Sequence, residues 1–260
     1  MAILSFLSAK GSPGATTAAL LTAALWPRDV VVLDADPAGG DVAARLPGDA
    51  GGVLDAERGL LPLLTSARRG LQPQQLLDEA QRAAGGTAVV CGLTHPQQAG
   101  AAAGSWPAVG AAAAQLGTEG TDVVVDAGRV TTEPVHLPLL RGSDVVVLVV
   151  RDDVASVLHA RRRLSWLGTA LRRADGLQPR TGVLVVGDAR RGDGDEAAEV
   201  LRATGRWVED FGRLPLDPAG ARVFDGARTA RPERTALVRA GRAVVTTLAA
   251  AAAGEHRRAS

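Results

Sequence analysis

Cysteine, methionine and lysine are almost missing from this chain of 260 residues: each occurs once. A lone cysteine, Cys91, excludes an internal disulfide and a cysteine-built metal cluster, and such sparing use fits a reducing compartment. Long apolar runs are missing too, since no stretch of about eighteen residues escapes a charge or a break, so no stable membrane insertion is expected. The opening residues Met1-Ala2-Ile3-Leu4-Ser5-Phe6-Leu7 lack the basic start of a secretory signal, which makes the cytoplasm the expected location. Charge of one sign is also lacking: the formal net charge of +1 gives no global field toward nucleic acid or an acidic membrane surface. What is present is ordinary globular material, 46% hydrophobic and 22% charged, which excludes a disordered or collagen-like chain. This length suits one large hydrophobic core, so one domain is expected over 1–255, with a disordered tail at 256–260.

Of the 29 basic residues only Lys10 is a lysine, leaving 28 arginines. Lysine is a compact point charge where arginine is a planar fork, so a single lysine in such a chain points to a place the fork does not fit. Short β-branched runs alternate with longer Ala-, Leu- and Arg-rich stretches from one end to the other, the pattern of a parallel sheet covered on both faces by helices. Strands are predicted at 2–7, 29–34, 87–91, 121–126, 143–150, 181–187 and 206–211. Helices are predicted near 15–26, 60–68, 72–84, 105–117, 152–174, 194–204, 217–228 and 233–253. Right-handed crossovers then place helices on both sides of the sheet.

The richest segment follows the first strand: Ser8-Ala9-Lys10-Gly11-Ser12-Pro13-Gly14-Ala15-Thr16-Thr17, leading into a helix. Such a turn can wrap backbone N–H groups around an oxyanion and present the positive end of a helix to the same charge. Thr16 stands where a hydroxyl can reach Mg2+, with Thr17 beside it for a phosphate oxygen. Two carboxylates stand at the ends of later strands, Asp36 in Asp34-Ala35-Asp36-Pro37 and Asp126 in Asp122-Val123-Val124-Val125-Asp126-Ala127-Gly128. With Lys10 five residues before Ala15, this ordered set resembles the deviant phosphate loop, Asp-x-Asp-Pro element and Walker B strand of the ParA/MinD ATPases. Ser143 to Val150 with the following helix, and Leu214-Pro215-Leu216-Asp217-Pro218, are similar to later segments of that family.

The resemblance implies a single-domain α/β P-loop fold of the SIMIBI type, three layers deep, with ATP and Mg2+ as ligands. Lys10, Gly11, Ser12, Pro13, Gly14, Ala15, Thr16 and Thr17 would hold the phosphates, Asp188, Pro215 and Asp217 the base, and Thr16, Asp36 and Asp126 the metal. Asp36 would orient the attacking water and Lys10 would reach the nucleotide of a second copy, so that an ATP-bound homodimer acts as a positional switch with slow hydrolysis. Two departures bear on this. Ala15 replaces the loop's usual lysine, losing a charge-assisted contact worth about 1.5–3 kcal/mol. Asp188 stands where many relatives have an adenine-reading asparagine. A loop ending Gly-Ala-Thr is similar to that of the TadZ/CpaE pilus-localisation proteins, as is Cys91-Gly92-Leu93-Thr94-His95-Pro96-Gln97-Gln98. Those proteins often carry a receiver-like domain ahead of the loop; this chain starts at the first strand, and none is expected.

The implied partner is a protein of a pilus, secretion or partition system. A non-catalytic nucleotide-binding scaffold and a DNA-partition ATPase are the alternatives. Non-specific DNA contact through Arg161-Arg162-Arg163, Arg172-Arg173, Arg190-Arg191, Arg202 and Arg206 is the less favoured one, since Asp195, Glu196 and Glu199 interrupt the patch. His95 and His159 have no ligand neighbours at metal spacing and suit loop and helix-surface roles. Cys91 closes an apolar strand and suits packing.

Overall fold

The computed structural model describes residues 2–11, 13–188, 192–227, 229–254 and, for the backbone, 257–258. In chain order the elements are β1 (Ile3–Ser8), α1 (Ala15–Leu25), β2 (Val30–Asp34), α2 (Val42–Arg45), α3 (Leu60–Ser66), α4 (Pro73–Asp78), β3 (Gln81–Arg82) and β4 (Ala88–Val90). There follow α5 (Pro96–Ala101), α6 (Trp106–Thr118), β5 (Asp122–Arg129), α7 (Leu137–Gly142), β6 (Val145–Arg151), α8 (Val154–Ala170) and β7 (Leu177–Gln178). The chain ends with β8 (Arg180–Gly187), α9 (Asp193–Arg202), β9 (Val208–Pro215), α10 (Pro218–Ala221), α11 (Ala236–Ala252) and β10 (Arg257–Arg258).

Eight strands form one sheet in the order β3-β4-β2-β5-β1-β6-β8-β9. Every neighbouring pair is parallel except β3 with β4. Successive side chains along a strand point to opposite faces, so buried runs feed two separate cores. Ile3, Leu7, Val31, Leu33, Val123, Val125, Val146 and Leu148 join one core, with the apolar stripes of α3, α6, α7, α8 and α9. Leu4, Phe6, Val32, Val124, Val145, Val147 and Leu184 join the other, with α1 and α11. The helices therefore cover both faces, and the three-layer α/β class predicted from periodicity is the observed one. Gly241 of α11 lies so close to Leu21 of α1 that a Cβ would press on that side chain. No helix among the described residues is long and apolar enough to cross a membrane.

Several boundaries differ from the predicted ones. The helix expected near 72–84 stops at Asp78, and Gln81–Arg82 instead pairs antiparallel with β4. A hairpin explains the break: Ala83 N–H donates to Thr87 O, and Gly85 and Gly86 take the positive φ values of 90° and 86° that the turn requires. The helix expected over 217–228 is one turn of α10 followed by a 3-10 turn, Arg222–Asp225, stopped by Gly226 at φ 76°. β9 starts later than predicted and runs on to Pro215, through a register shift opposite Val183/Val185 and a positive φ at Gly212. Of the tail expected to be disordered, 256, 259 and 260 lie outside the described residues, while Arg257–Arg258 pair with Leu177–Gln178.

Candidate functional site

In a parallel sheet all the βα loops after the parallel strands emerge at the carboxyl edge, so β1, β5 and β2, adjacent in the sheet, deliver their loops side by side. A cavity of about 570 Å³ opens there, lined by Ser8, Gly11, Pro13, Gly14, Ala15, Thr16, Thr17, Asp36, Asp41, Arg45, Gly128 and Arg129. Gly14 precedes α1 in the left-handed conformation, φ 97°, and Gly11 is at φ 71°. A Cβ at either would meet nothing within 4 Å, so these glycines serve the bend itself while leaving the concave side open. The first helical bond of α1 is Ala18 N–H to Gly14 O, and no side chain caps the helix. The N–H groups of Ala15, Thr16 and Thr17 thus have no acceptor within their own helix, and α1 has no acidic residue in its first turn. That combination is an anion cradle.

Three carboxylates stand behind it. Asp34 and Asp126 are fully buried and sit in register on β2 and β5. Asp34 Oδ2 accepts Val42 N–H at 3.1 Å, and the backbones of Gly40 and Gly92 press against its carboxyl, leaving no room for a Cβ at either. Burial, reinforced by the charge of Asp126, pushes the Asp34 carboxyl up to about 8. Asp126 Oδ1 accepts Gly128 N–H at 3.1 Å. Burial lifts Asp126 to about 6, opposed by a hydrogen bond from the Thr16 side chain. Asp36 is raised by burial, with its Oδ1 taking Ala38 N–H at 2.8 Å and Asp41 adding repulsion. Its carboxyl lies where a Cβ on Gly128, at φ 59°, would have to go.

Among the described residues no group of three His, Cys, Asp or Glu side chains is arranged to hold a metal unaided. Mg2+ takes one or two protein oxygens and completes its shell with water and phosphate. The paired Thr16 and Asp126 supply such a donor set.

A second cavity, about 410 Å³, lies beside the ends of β8 and β9 and the start of α11. Gly187, Asp188, Asp195, Arg213, Leu214, Pro215, Ala236, Arg239 and Ala240 are in its wall. Asp188 N–H donates to Asp152 Oδ2 at 3.0 Å. Gly187 is required there, since a Cβ would collide with the same Asp152 carboxylate.

No protein-family model matches the chain, and no curated protein sequence matches it significantly. Solved structures match across nearly the whole length. A McdA(D38A)–ATP complex from Cyanothece superposes with a TM-score of 0.71 at 14% identity, over 96% of this chain and 96% of that one. A ParA family ATPase from Chlorobium tepidum gives 0.69 at 18% identity, over 95% and 97%. The septum site-determining protein MinD with Mg-ADP, from Pyrococcus horikoshii, gives 0.68 at 15% identity, over 95% of each chain. The chain has the ParA/MinD fold.

Within that fold, the loop residues expected to bind phosphate, Gly11, Pro13, Gly14, Ala15, Thr16 and Thr17, line one cavity together with Asp36, and Asp126 touches Thr16 beneath it. Ser12 lies outside the described residues. Lys10 is exposed at the rim, its Nζ 3.3 Å from Nε2 of His159 on α8, which places His159 on a helix surface as expected. Asp188 and Pro215 line the second cavity. Asp217 does not: its carboxylate caps α10 through Gly220 N–H at 2.9 Å and takes Leu237 N–H at 3.1 Å. Cys91 is buried, and burial pushes its thiol up to about 12, as a packing residue requires. The sequence reading missed Arg45, Arg129, Asp41 and Arg239. Asp41 follows Gly40, which presses on Asp34, but nothing in the pattern marks Arg45 out from 27 other arginines.

Proposed function

We propose that this chain binds ATP with Mg2+ and works as an ATP-dependent homodimeric switch that positions a partner protein inside the cell. The observation that carries the proposal is the open cradle of Gly11, Pro13, Gly14, Ala15, Thr16 and Thr17, with Asp36 in the same wall and Asp126 touching Thr16. The solved McdA–ATP and MinD–Mg-ADP complexes, similar in fold, add support. The N–H groups at the start of α1 hold the phosphates, Thr16 and Asp126 hold the metal, and the second cavity takes the base through Asp188 and Pro215. Mg2+ supplies charge neutralisation on the phosphate oxygens when bound. Asp36 orients water: a carboxyl raised by burial is a better proton acceptor than an exposed one. Lys10, exposed at the rim, is free of the cavity wall and supplies its charge to the nucleotide of a second copy. The loop style points to the TadZ/CpaE branch and to a pilus or secretion partner, ahead of chromosome partition.

Calorimetric titration with Mg-ATP, paired with sizing in its presence and absence, tests the reading. Binding that Asp126→Asn weakens, together with a shift from monomer to dimer, supports it; no Mg2+-dependent nucleotide binding contradicts it. Ala15 favours a second reading, a scaffold that binds without turnover, because a methyl in the loop leaves less charge to stabilise phosphoryl transfer. Phosphate release that Asp36→Ala abolishes excludes the scaffold, and its absence in the wild type excludes the ATPase.

A further inference from the structure

A nucleoside triphosphate carries several negative charges into a loop whose lysine position is a methyl. The cradle's N–H groups contribute only about half a charge between them. Lys10 lies at the rim against His159. The cations that line the phosphate cavity among the described residues are Arg45 and Arg129. Arg129 is exposed and lies within reach of the Arg163 charge. Arg45 is different: its side chain is only 23% exposed and two contacts orient its guanidinium. Nη2 donates to Thr17 Oγ1 at 3.0 Å, and Nε donates to Asp225 Oδ1 at 2.7 Å. These engage two of its five donors.

The backbone carrying Arg45 is tied to the same site. Arg45 closes α2, whose Val42 is buried and bonded to the Asp34 carboxyl. Arg45 N–H bonds to Asp41 O at 3.0 Å, and Gly226 packs on Arg45 O and Pro47. A guanidinium held on the hydroxyl of the loop's last threonine is pre-placed for an oxyanion bound by that loop.

We propose that Arg45 is the phosphate-binding cation of this chain, supplying the charge that Ala15 does not, with Asp225 holding the guanidinium in place until the anion arrives. This rests on the nucleotide-binding reading above. Asp225 then competes with the phosphate for the same guanidinium, so removing its charge favours the anion.

The test titrates the full chain with Mg-ATP, Mg-ADP and adenosine. Arg45→Gln is expected to lose on the order of 10- to 100-fold in Mg-ATP affinity, less for Mg-ADP and nothing for adenosine, which also reports that the variant is folded. Arg45→Lys retains part of the affinity, Ala15→Lys restores it in the Arg45→Gln background, and Asp225→Asn binds Mg-ATP at least as tightly as the wild type. A tether that merely joins α2 to residues 222–225 would behave otherwise: Asp225→Asn would match Arg45→Gln, and that result overturns the inference. Mg-ATP binding that Arg45→Gln leaves unchanged overturns it as well, leaving the nucleotide reading intact. If the wild type binds neither Mg-ATP nor Mg-ADP, the nucleotide reading fails and takes the inference with it.

Discussion

The two cavities at the carboxyl edge are built in opposite ways. The first cavity draws on three neighbouring strands and sets Asp36 and Arg45 in its wall, with Asp34 and Asp126 behind it, the carboxylates pushed up by burial. The second cavity draws on β8, β9, α9 and α11, and its ion pair sits at the edge: Asp195 is 89% exposed, and its partner Arg213 is 30% exposed. The first cavity therefore turns on buried carboxylates closely backed by glycines, while the second sets the buried apolar side chains Val185 and Leu214 beside an ion pair at its edge. The difference teaches where this fold tolerates change. Buried carboxylates surrounded by glycines admit almost none, whereas a cleft edged by exposed side chains such as Asp188 and Arg239 admits more.

The largest expected effect is at Asp34. A carboxyl raised from 3.8 to about 8 keeps its proton in the folded state where the unfolded chain has lost it. Stability from this group is thus full below about pH 4 and drains away as pH rises toward 8. Denaturant melts across that range should show Asp34→Asn gaining on the wild type as pH climbs; parallel curves would mean the group is ionised in the fold. Next comes Gly128→Val, which puts a β-branched residue at φ 59° and evicts the Asp36 carboxylate. A loss of about 1–3 kcal/mol in chemical denaturation is expected, with weakened Mg-ATP binding.

Filling the second cavity gives a smaller and more selective effect. Ala240→Trp should cut adenosine affinity about tenfold, roughly 1.4 kcal/mol, while inorganic triphosphate binds as before. Equal loss of both ligands would show that the two cavities are not separable. Asp217→Ala has the smallest effect. As a helix cap it should cost about 1 kcal/mol of stability and leave nucleotide affinity unchanged; a drop in affinity alone would restore it to the base site.

That the loop and Asp36 line one cavity was legible because they come in short contiguous motifs at strand ends, where spacing alone places them. Arg45 was not, since a four-residue helix has no periodicity to read and the chain is arginine-rich throughout. Asp217 was misplaced by a resemblance although its own signal was present: an Asp followed by Pro at the first helical position is a cap. The overlong helix near 72–84 came from following apolar spacing past Ala80, when Gly85-Gly86 marked a hairpin. α5 and α7 escaped notice because six residues hold under two turns. The layers themselves were legible throughout, because runs such as Val145 to Val150 leave no polar face and require helices on both sides.

Amide hydrogen exchange with and without Mg-ATP bears most directly on the central claim. The N–H groups of Ala15, Thr16 and Thr17 lack an acceptor within α1. Bound phosphate supplies one, so exchange across residues 11–17 should slow markedly when Mg-ATP is added. Unchanged exchange in that loop, with protection confined to residues 213–215 and 236–240, would contradict the account.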